Sequence, residues 1–157
     1  RVGAQARQFA LRLGAAKGAG QSILQTHGGV MGRAQFQPVR AGISVAAIDA
    51  CNSGGFAKDL ITQPGRVGLF SSEEDVLSAV ASQFQAGGYL SHFLRTAVSG
   101  QADASPRDQV LTVGELTHFL YTQFGRHATD VELQGAYQHL VIDRGAVRVD
   151  QVLWSYQ

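Results

Sequence analysis

Two residues of this chain carry reactive groups at places where an α/β fold would present them. Cys51, the only cysteine among 157 residues, stands in Asp49-Ala50-Cys51-Asn52-Ser53-Gly54-Gly55. His27 stands in Thr26-His27-Gly28-Gly29. Each follows an apolar run, and each is followed closely by glycine. A free cysteine is only a few per cent thiolate at neutral pH, so a nucleophilic one needs a neighbour. An imidazole can raise that fraction or pass a proton to a leaving amine. Acyl transfer also develops an oxyanion, which backbone N–H groups meet at about 2.7–3.1 Å. Gly28 and Cys51 can offer such groups, and a β-carbon at position 28 would crowd the incoming carbonyl. Taken singly, a lone cysteine reads as a small hydrophobe and a lone histidine as a satisfied polar residue. Their placement at two strand ends is what makes the pair chemically interesting.

The elements that must position them read as follows. Ser22-Ile23-Leu24-Gln25-Thr26 is a short strand ending at His27. Ile43-Ser44-Val45-Ala46-Ala47-Ile48 carries no charge, which suits a strand buried on both faces, as in a parallel sheet. Val67-Gly68-Leu69-Phe70 is a third strand and ends at Ser71-Ser72. Ligands of open α/β sheets sit beyond the carboxyl ends of the strands. Parallel neighbours would bring the first two ends within one strand spacing of about 4.8 Å, or a small multiple of it. Val2, Ala6, Phe9 and Leu13 share one helical face, with Gly14 as a stop. A later helix carries Tyr89, Phe93, Leu94 and Ala97 on one face and Gly100 at its end. Thr112 and Glu115 have capping-box spacing ahead of Leu116, Phe119 and Leu120, and Gly125 closes that helix. The tail reads as a hairpin, with Leu140–Ile142 and Val147–Val149 joined through Asp143-Arg144-Gly145. Strands alternating with helices predict an α/β fold, a mostly parallel sheet flanked by helices, in a single domain over 1–157.

Composition excludes several classes. With 45% apolar and 16% charged residues the chain is not a disordered tail, and no apolar run approaches the ~18 residues of a membrane span. A net charge of +1 gives no reason to expect nucleic acid. A single cysteine excludes an intrachain disulfide and a multi-cysteine zinc site. His92, His118, His127 and His139 lack ligand spacing and read as structural or solvated. Residues 1–48 hold six basic residues and no acidic one. A transit peptide would look like that, but the segment runs straight into strand-like sequence. No secretory leader is read at the start, so a cytoplasmic location is expected. The first residue is Arg rather than Met, which hints at a longer chain and leaves room for fused or associated regulatory domains.

These motifs together resemble the caspase-fold cysteine peptidases, in particular prokaryotic caspase-like and metacaspase-like domains. The resemblance rests on Thr26-His27-Gly28-Gly29, on Asp49 through Phe56, and on Gly87-Gly88-Tyr89-Leu90-Ser91-His92-Phe93-Leu94. Gly100, Ala102, Asp103, Thr112, Glu115 and Leu116 extend it, so that it covers about residues 20–125. It implies a three-layer sandwich and a His/Cys dyad that hydrolyses a polypeptide substrate. Cys51 would be the nucleophile, His27 would assist proton transfer, and Gly28 with the Cys51 amide would form the oxyanion hole. Asp49 stands two residues before Cys51, and period-two alternation puts both on one side of a strand. Its carboxylate would then pair with Arg or Lys before the scissile bond and repel Asp. The plainer reading is that Asp49 accepts hydrogen bonds from a loop. By family analogy Ser71 and Ser72 would line the same substrate pocket.

The chain departs from the pattern in three places. Only 24 positions separate His27 from Cys51, fewer than in most relatives. The strands expected before the opening helix are missing. Asp103, Asp108 and Glu115 are similar to a calcium loop, but the register is one residue too long, and Pro106 and Arg107 stand where ligands belong. No cofactor is therefore expected, with calcium the metal left open. Lys58 and Arg66 fall on an expected loop after the nucleophile, where a basic-specific enzyme could cut itself. The expected function is a cysteine endopeptidase cutting after Arg or Lys. The rivals are a non-catalytic caspase-like module that recruits signalling partners, a legumain-like peptidase of other specificity, and another thiol acyl-transfer enzyme.

Overall fold

The structure is a computed structural model and describes residues 7–13, 22–27, 42–62, 64–104, 106–129 and 131–156, with backbone alone for 7–13, 22–27 and 60. In chain order the elements are β1 (Arg7–Leu13), β2 (Ser22–His27), β3 (Ile43–Asp49), α1 (Ala57–Leu60), β4 (Arg66–Phe70), α2 (Tyr89–Thr96), β5 (Val110–Thr112), α3 (Val113–His127), β6 (Glu132–Leu133), β7 (Ala136–Tyr137), β8 (Val141–Asp143) and β9 (Val152–Ser155). The fold is mixed α and β.

Five strands form the main sheet in the order β2-β1-β3-β4-β8. Only β3 and β4 pair in parallel, with Val45 opposite Val67 and Ala47 opposite Leu69; the other three pairings are antiparallel. The sheet is therefore mixed, not mostly parallel as expected. The cause is β1, the segment whose spacing predicted a helix. Phe9 and Leu13 are four apart, but Phe9, Leu11 and Leu13 are also two apart, so the residues fit either period. Pairing with β2 on one side and β3 on the other gives β1 backbone partners along both edges, and that decides it. A strand thus does precede Ser22, where none was expected.

Alternation along β3 and β4 sorts the core into two faces. Val45, Ala47, Val67 and Leu69 pack against Leu90, Phe93 and Leu94 of α2 and Leu116, Leu120 and Phe124 of α3. Ile48 and Phe70 point the other way, onto Phe56, Ala57, Ile61 and Val141. Helices therefore cover both faces. A fully buried side chain such as Phe70 or Leu120 contributes about 1.5–3 kcal/mol. At Gly68 a Cβ would meet the Phe70 ring at 2.5 Å, so that position must stay small for the second face to close.

The α3 helix starts as expected. Thr112 Oγ1 accepts from the Glu115 N–H at 3.2 Å while Glu115 Oε2 accepts from the Thr112 N–H at 2.9 Å. It runs two residues past Gly125, with Leu116, Leu120 and Phe124 buried. The α2 helix passes into a π turn, Ala97–Gln101, where Gly100 takes φ 101°. No helix among the described residues is long and apolar enough to cross a membrane.

The tail differs from the expected hairpin. Its turn forms, with Gly145 at φ 50° and its N–H on Asp143 Oδ1 at 2.8 Å. But β8 pairs with β4, placing Ile142 opposite Leu69, and covers what would otherwise be an open edge. The chain then continues to β9, which pairs with β5. The short hairpin that does form is β6–β7, turning at Gln134 and Gly135, both at positive φ.

Phe84 stacks on His92 with ring centroids 4.2 Å apart and meets His127 edge-on at 5.3 Å. Burial, then the charges of Arg95 and His127, hold His92 below its ordinary 6.5. The unfolded chain thus binds this proton more readily than the folded one. Its contribution is complete above that value and declines as pH falls toward the lower folded one. Thermal unfolding should therefore come earlier at about pH 5.5 than at about pH 7.5, and His92→Phe, which keeps the stack, should narrow the gap. An unchanged gap would contradict the assignment.

Candidate active site

The β3 strand ends at Asp49, the chain bends at Ala50, and Cys51 and Asn52 form a turn that leads into a 3-10 turn, Ser53–Phe56. Asn52 takes the left-handed conformation, φ 59°, which Asn tolerates better than most residues. The turn is pinned mainly through Ala50. Its carbonyl lies within hydrogen-bonding distance of the hydroxyls of Ser71 at 3.2 Å, Ser72 at 3.1 Å and Ser78 at 2.9 Å, with Ser71 and Ser78 also sharing a proton at 2.7 Å, and its N–H donates to Ser71 Oγ at 3.0 Å. Further along, the Asn52 N–H donates to Val76 O at 2.9 Å, Ser53 to Ser72 Oγ at 3.3 Å, Gly54 to Ser72 O at 2.8 Å and Gly55 to Asn52 O at 3.3 Å. Between 50 and 55, only the Cys51 N–H meets no acceptor among the described residues.

The Cys51 side chain is half-buried against the segment after Ser72. The Ser78 N–H donates to Sγ at 3.3 Å, and the thiol faces Ser78 O at 3.9 Å. Cys51 thus combines a nucleophilic atom with an uncommitted amide on the same residue.

His27 closes β2. Arg7 is the register partner of both His27 and Asp49, and β2 and β3 run in the same direction. The two strand ends therefore lie on one edge of the sheet, as expected, but β1 stands between them. Their separation is two strand spacings, about 9.6 Å. The His27 side chain and all of Gly28 lie outside the described residues.

The remaining expected site residues turn inward. Asp49 is 8% exposed, and its Oδ2 accepts from the Ser91 N–H at 2.8 Å and from the Ser91 hydroxyl. Ser91 is the third residue of α2, and the residue before the helix, Gly88, has no side chain with which to cap it. Asp49 supplies the missing acceptor from the sheet and puts negative charge at the positive end of the helix. Strand alternation stops at Asp49, so it does not relate this side chain to Cys51 as the spacing suggested. Ser71 and Ser72 are wholly buried. In place of the expected pocket wall, they support the Cys51 turn from beneath.

One further sequence reading also changes. Lys58 lies in α1 with its Nζ on Glu74 at 2.7 Å, and Arg66 opens β4 opposite Ser44, so neither is on the expected loop. Asp103 accepts from the N–H groups of Asp108 at 3.2 Å and Gln109 at 3.0 Å, and Glu115 is engaged with Thr112. Among the described residues no group of three or more His, Cys, Asp or Glu is arranged to hold a metal. Three contributors escaped the sequence reading, namely Ser53, Ser78 and Ser91. The Ser-Gly pair after Asn52 signalled the first, Ser91 stood in the quoted 87–94 stretch with no role assigned to it, and Ser78 sits in a segment with no motif.

A Cβ at Gly88 would fall on the Asp49 carboxylate. Gly88→Ala should lower unfolding free energy by about 1–3 kcal/mol, and by much less in an Asp49→Ala background. Equal losses in the two backgrounds, read by denaturant titration, would show that the glycine does not serve to clear the carboxylate. No family model, curated protein or solved structure compared with the chain matches it.

Proposed function

We propose that this chain is a caspase-like cysteine endopeptidase that cuts after Arg or Lys. The observation that carries the reading is the uncommitted Cys51 N–H beside a half-buried sulfur that takes the Ser78 N–H. In that reaction the Cys51 thiol gives up its proton, which His27 takes, and Sγ attacks the scissile carbonyl carbon. A C–S bond forms, and the carbonyl oxygen becomes an oxyanion that the Cys51 N–H receives. The C–N bond then breaks as His27 delivers a proton to the leaving amine, and water hydrolyses the thioester to a carboxylic acid and the free thiol.

Support for basic substrates comes from the rim. Glu73, Glu74 and Asp75 are exposed and follow Ser72 directly, and Val76 O holds the Asn52 N–H; Glu74 is paired with Lys58, so Glu73 and Asp75 supply the negative charge beside the Cys51 turn. Negative charge there draws cationic peptide toward the sulfur. The inward commitments of Asp49, Ser71 and Ser72 favour a second reading, in which the fold cuts after another residue, as legumain-like enzymes do, or only recruits partners.

A positional scan of fluorogenic peptides distinguishes these readings. Hydrolysis should be fastest with Arg or Lys before the scissile bond. It should fall by about a thousandfold or more in Cys51→Ala and by a large factor in His27→Ala. Faster cleavage after Asp or Asn would overturn the specificity, and no cleavage of any peptide by the wild type would overturn the activity.

A further inference from the structure

We infer that Gln138 is a positioning residue for Cys51, holding the peptide group that faces its sulfur. The inference rests on the reading of Cys51 as a nucleophile. Gln138 lies between β7 and β8, 87 positions from Cys51, and is wholly buried. Both ends of its amide are used. Nε2 donates to Ser71 O at 2.5 Å, and Oε1 accepts from the Ala79 N–H at 2.8 Å.

The Ala79 N–H belongs to the same peptide group as the Ser78 carbonyl. A peptide group is planar, and in its trans form N–H and C=O point in opposite directions. With Gln138 holding the N–H from one side, the Ser78 carbonyl is turned to the other, where Cys51 Sγ lies 3.9 Å away. The neighbouring Ser78 N–H reaches the same sulfur at 3.3 Å. Ser78 thus presents an acceptor to the thiol and a closer donor to the thiolate.

The segment around Ser78, residues 76–81, forms no helix or strand, so no ladder fixes that plane. Two other anchors act elsewhere. The Ser78 hydroxyl bonds Ala50 O at 2.9 Å and lies 2.7 Å from Ser71 Oγ, which fixes the side chain rather than the following peptide. His139 approaches Glu73 from outside at 3.7 Å, five residues upstream of Ser78. Among the described residues, Gln138 is the one group besides Cys51 that holds the 78–79 peptide group, and through Ser71 O it ties that group to the end of β4. An amide suits the task because it offers a donor and an acceptor without a buried charge.

Alkylation of Cys51 tests this directly, since no other thiol is present. Gln138→Met keeps the shape and loses both hydrogen bonds. In folded Gln138→Met, the second-order rate of reaction with iodoacetamide at neutral pH should fall about fivefold, and kcat should fall with KM nearly unchanged. Gln138→Glu keeps the acceptor for the Ala79 N–H and should recover most of the rate. Wild-type alkylation rate in folded Gln138→Met would overturn the inference, as would no recovery in folded Gln138→Glu. If the variants do not fold, amide resonances of the wild type decide. Capping Cys51 should shift the Ser78 and Ala79 amides together with the Gln138 side-chain amide, and an unmoved Gln138 signal would overturn it. The alkylation readout needs no peptide. Slowed alkylation in the variant beside an inactive wild type would sink the peptidase reading alone, and unchanged alkylation beside an active wild type would sink the inference alone.

Discussion

A carbonyl drawn out of water must find donors, and the partly buried Ala50 carbonyl lies where the chain leaves the sheet and no strand is left to pair it. Three serine hydroxyls converge on it instead. The parallel register of β3 and β4 makes this possible. Ile48 lies opposite Phe70, so Ser71 and Ser72 emerge from β4 at the level where Asp49 and Ala50 emerge from β3. Leaving such a carbonyl unpaired would cost about 1–3 kcal/mol, and that cost keeps the turn in one conformation. Within that conformation the amides on either side of Cys51 are taken, and its own is left over.

The same economy explains Asp49. A carboxylate that is 8% exposed needs strong donors, and the first turn of α2 has N–H groups without intrahelical partners. Each satisfies the other. One carboxylate therefore ties the strand that leads to Cys51 to a helix of the opposite layer, and Gly88 is bare so that the carboxylate can sit there. The geometry of the turn is set by packing and pairing on both sides of the sheet rather than by the loop alone.

How much of this was legible varies with the kind of information each residue carries. The β3 and β4 strands were readable because uncharged apolar runs have few alternatives, and α3 because its capping box is a local signal. β1 was not, because Phe9, Leu11 and Leu13 satisfy two periods at once and only pairing on both edges separates them. Asp49 beside Cys51 invited a strand-alternation argument that fails because the strand stops at Asp49, two residues short of Cys51. Ser71 and Ser72 were found as members of the site, but their direction, inward to Ala50, depends on a register that no single segment contains. Gln138 left no local trace, since its partners lie 59 and 67 positions away.

The central claim is that pinning Ala50 leaves the Cys51 amide free to receive developing negative charge. An experimental structure of the protein with a peptide aldehyde bearing Arg at its reactive end tests it most directly. Sγ should add to the aldehyde, and the resulting oxygen should lie within about 3.1 Å of the Cys51 nitrogen, with Ser71, Ser72 and Ser78 still on the Ala50 carbonyl. An adduct whose oxygen points away from that nitrogen, or a turn that abandons the three serines to form it, would contradict the claim.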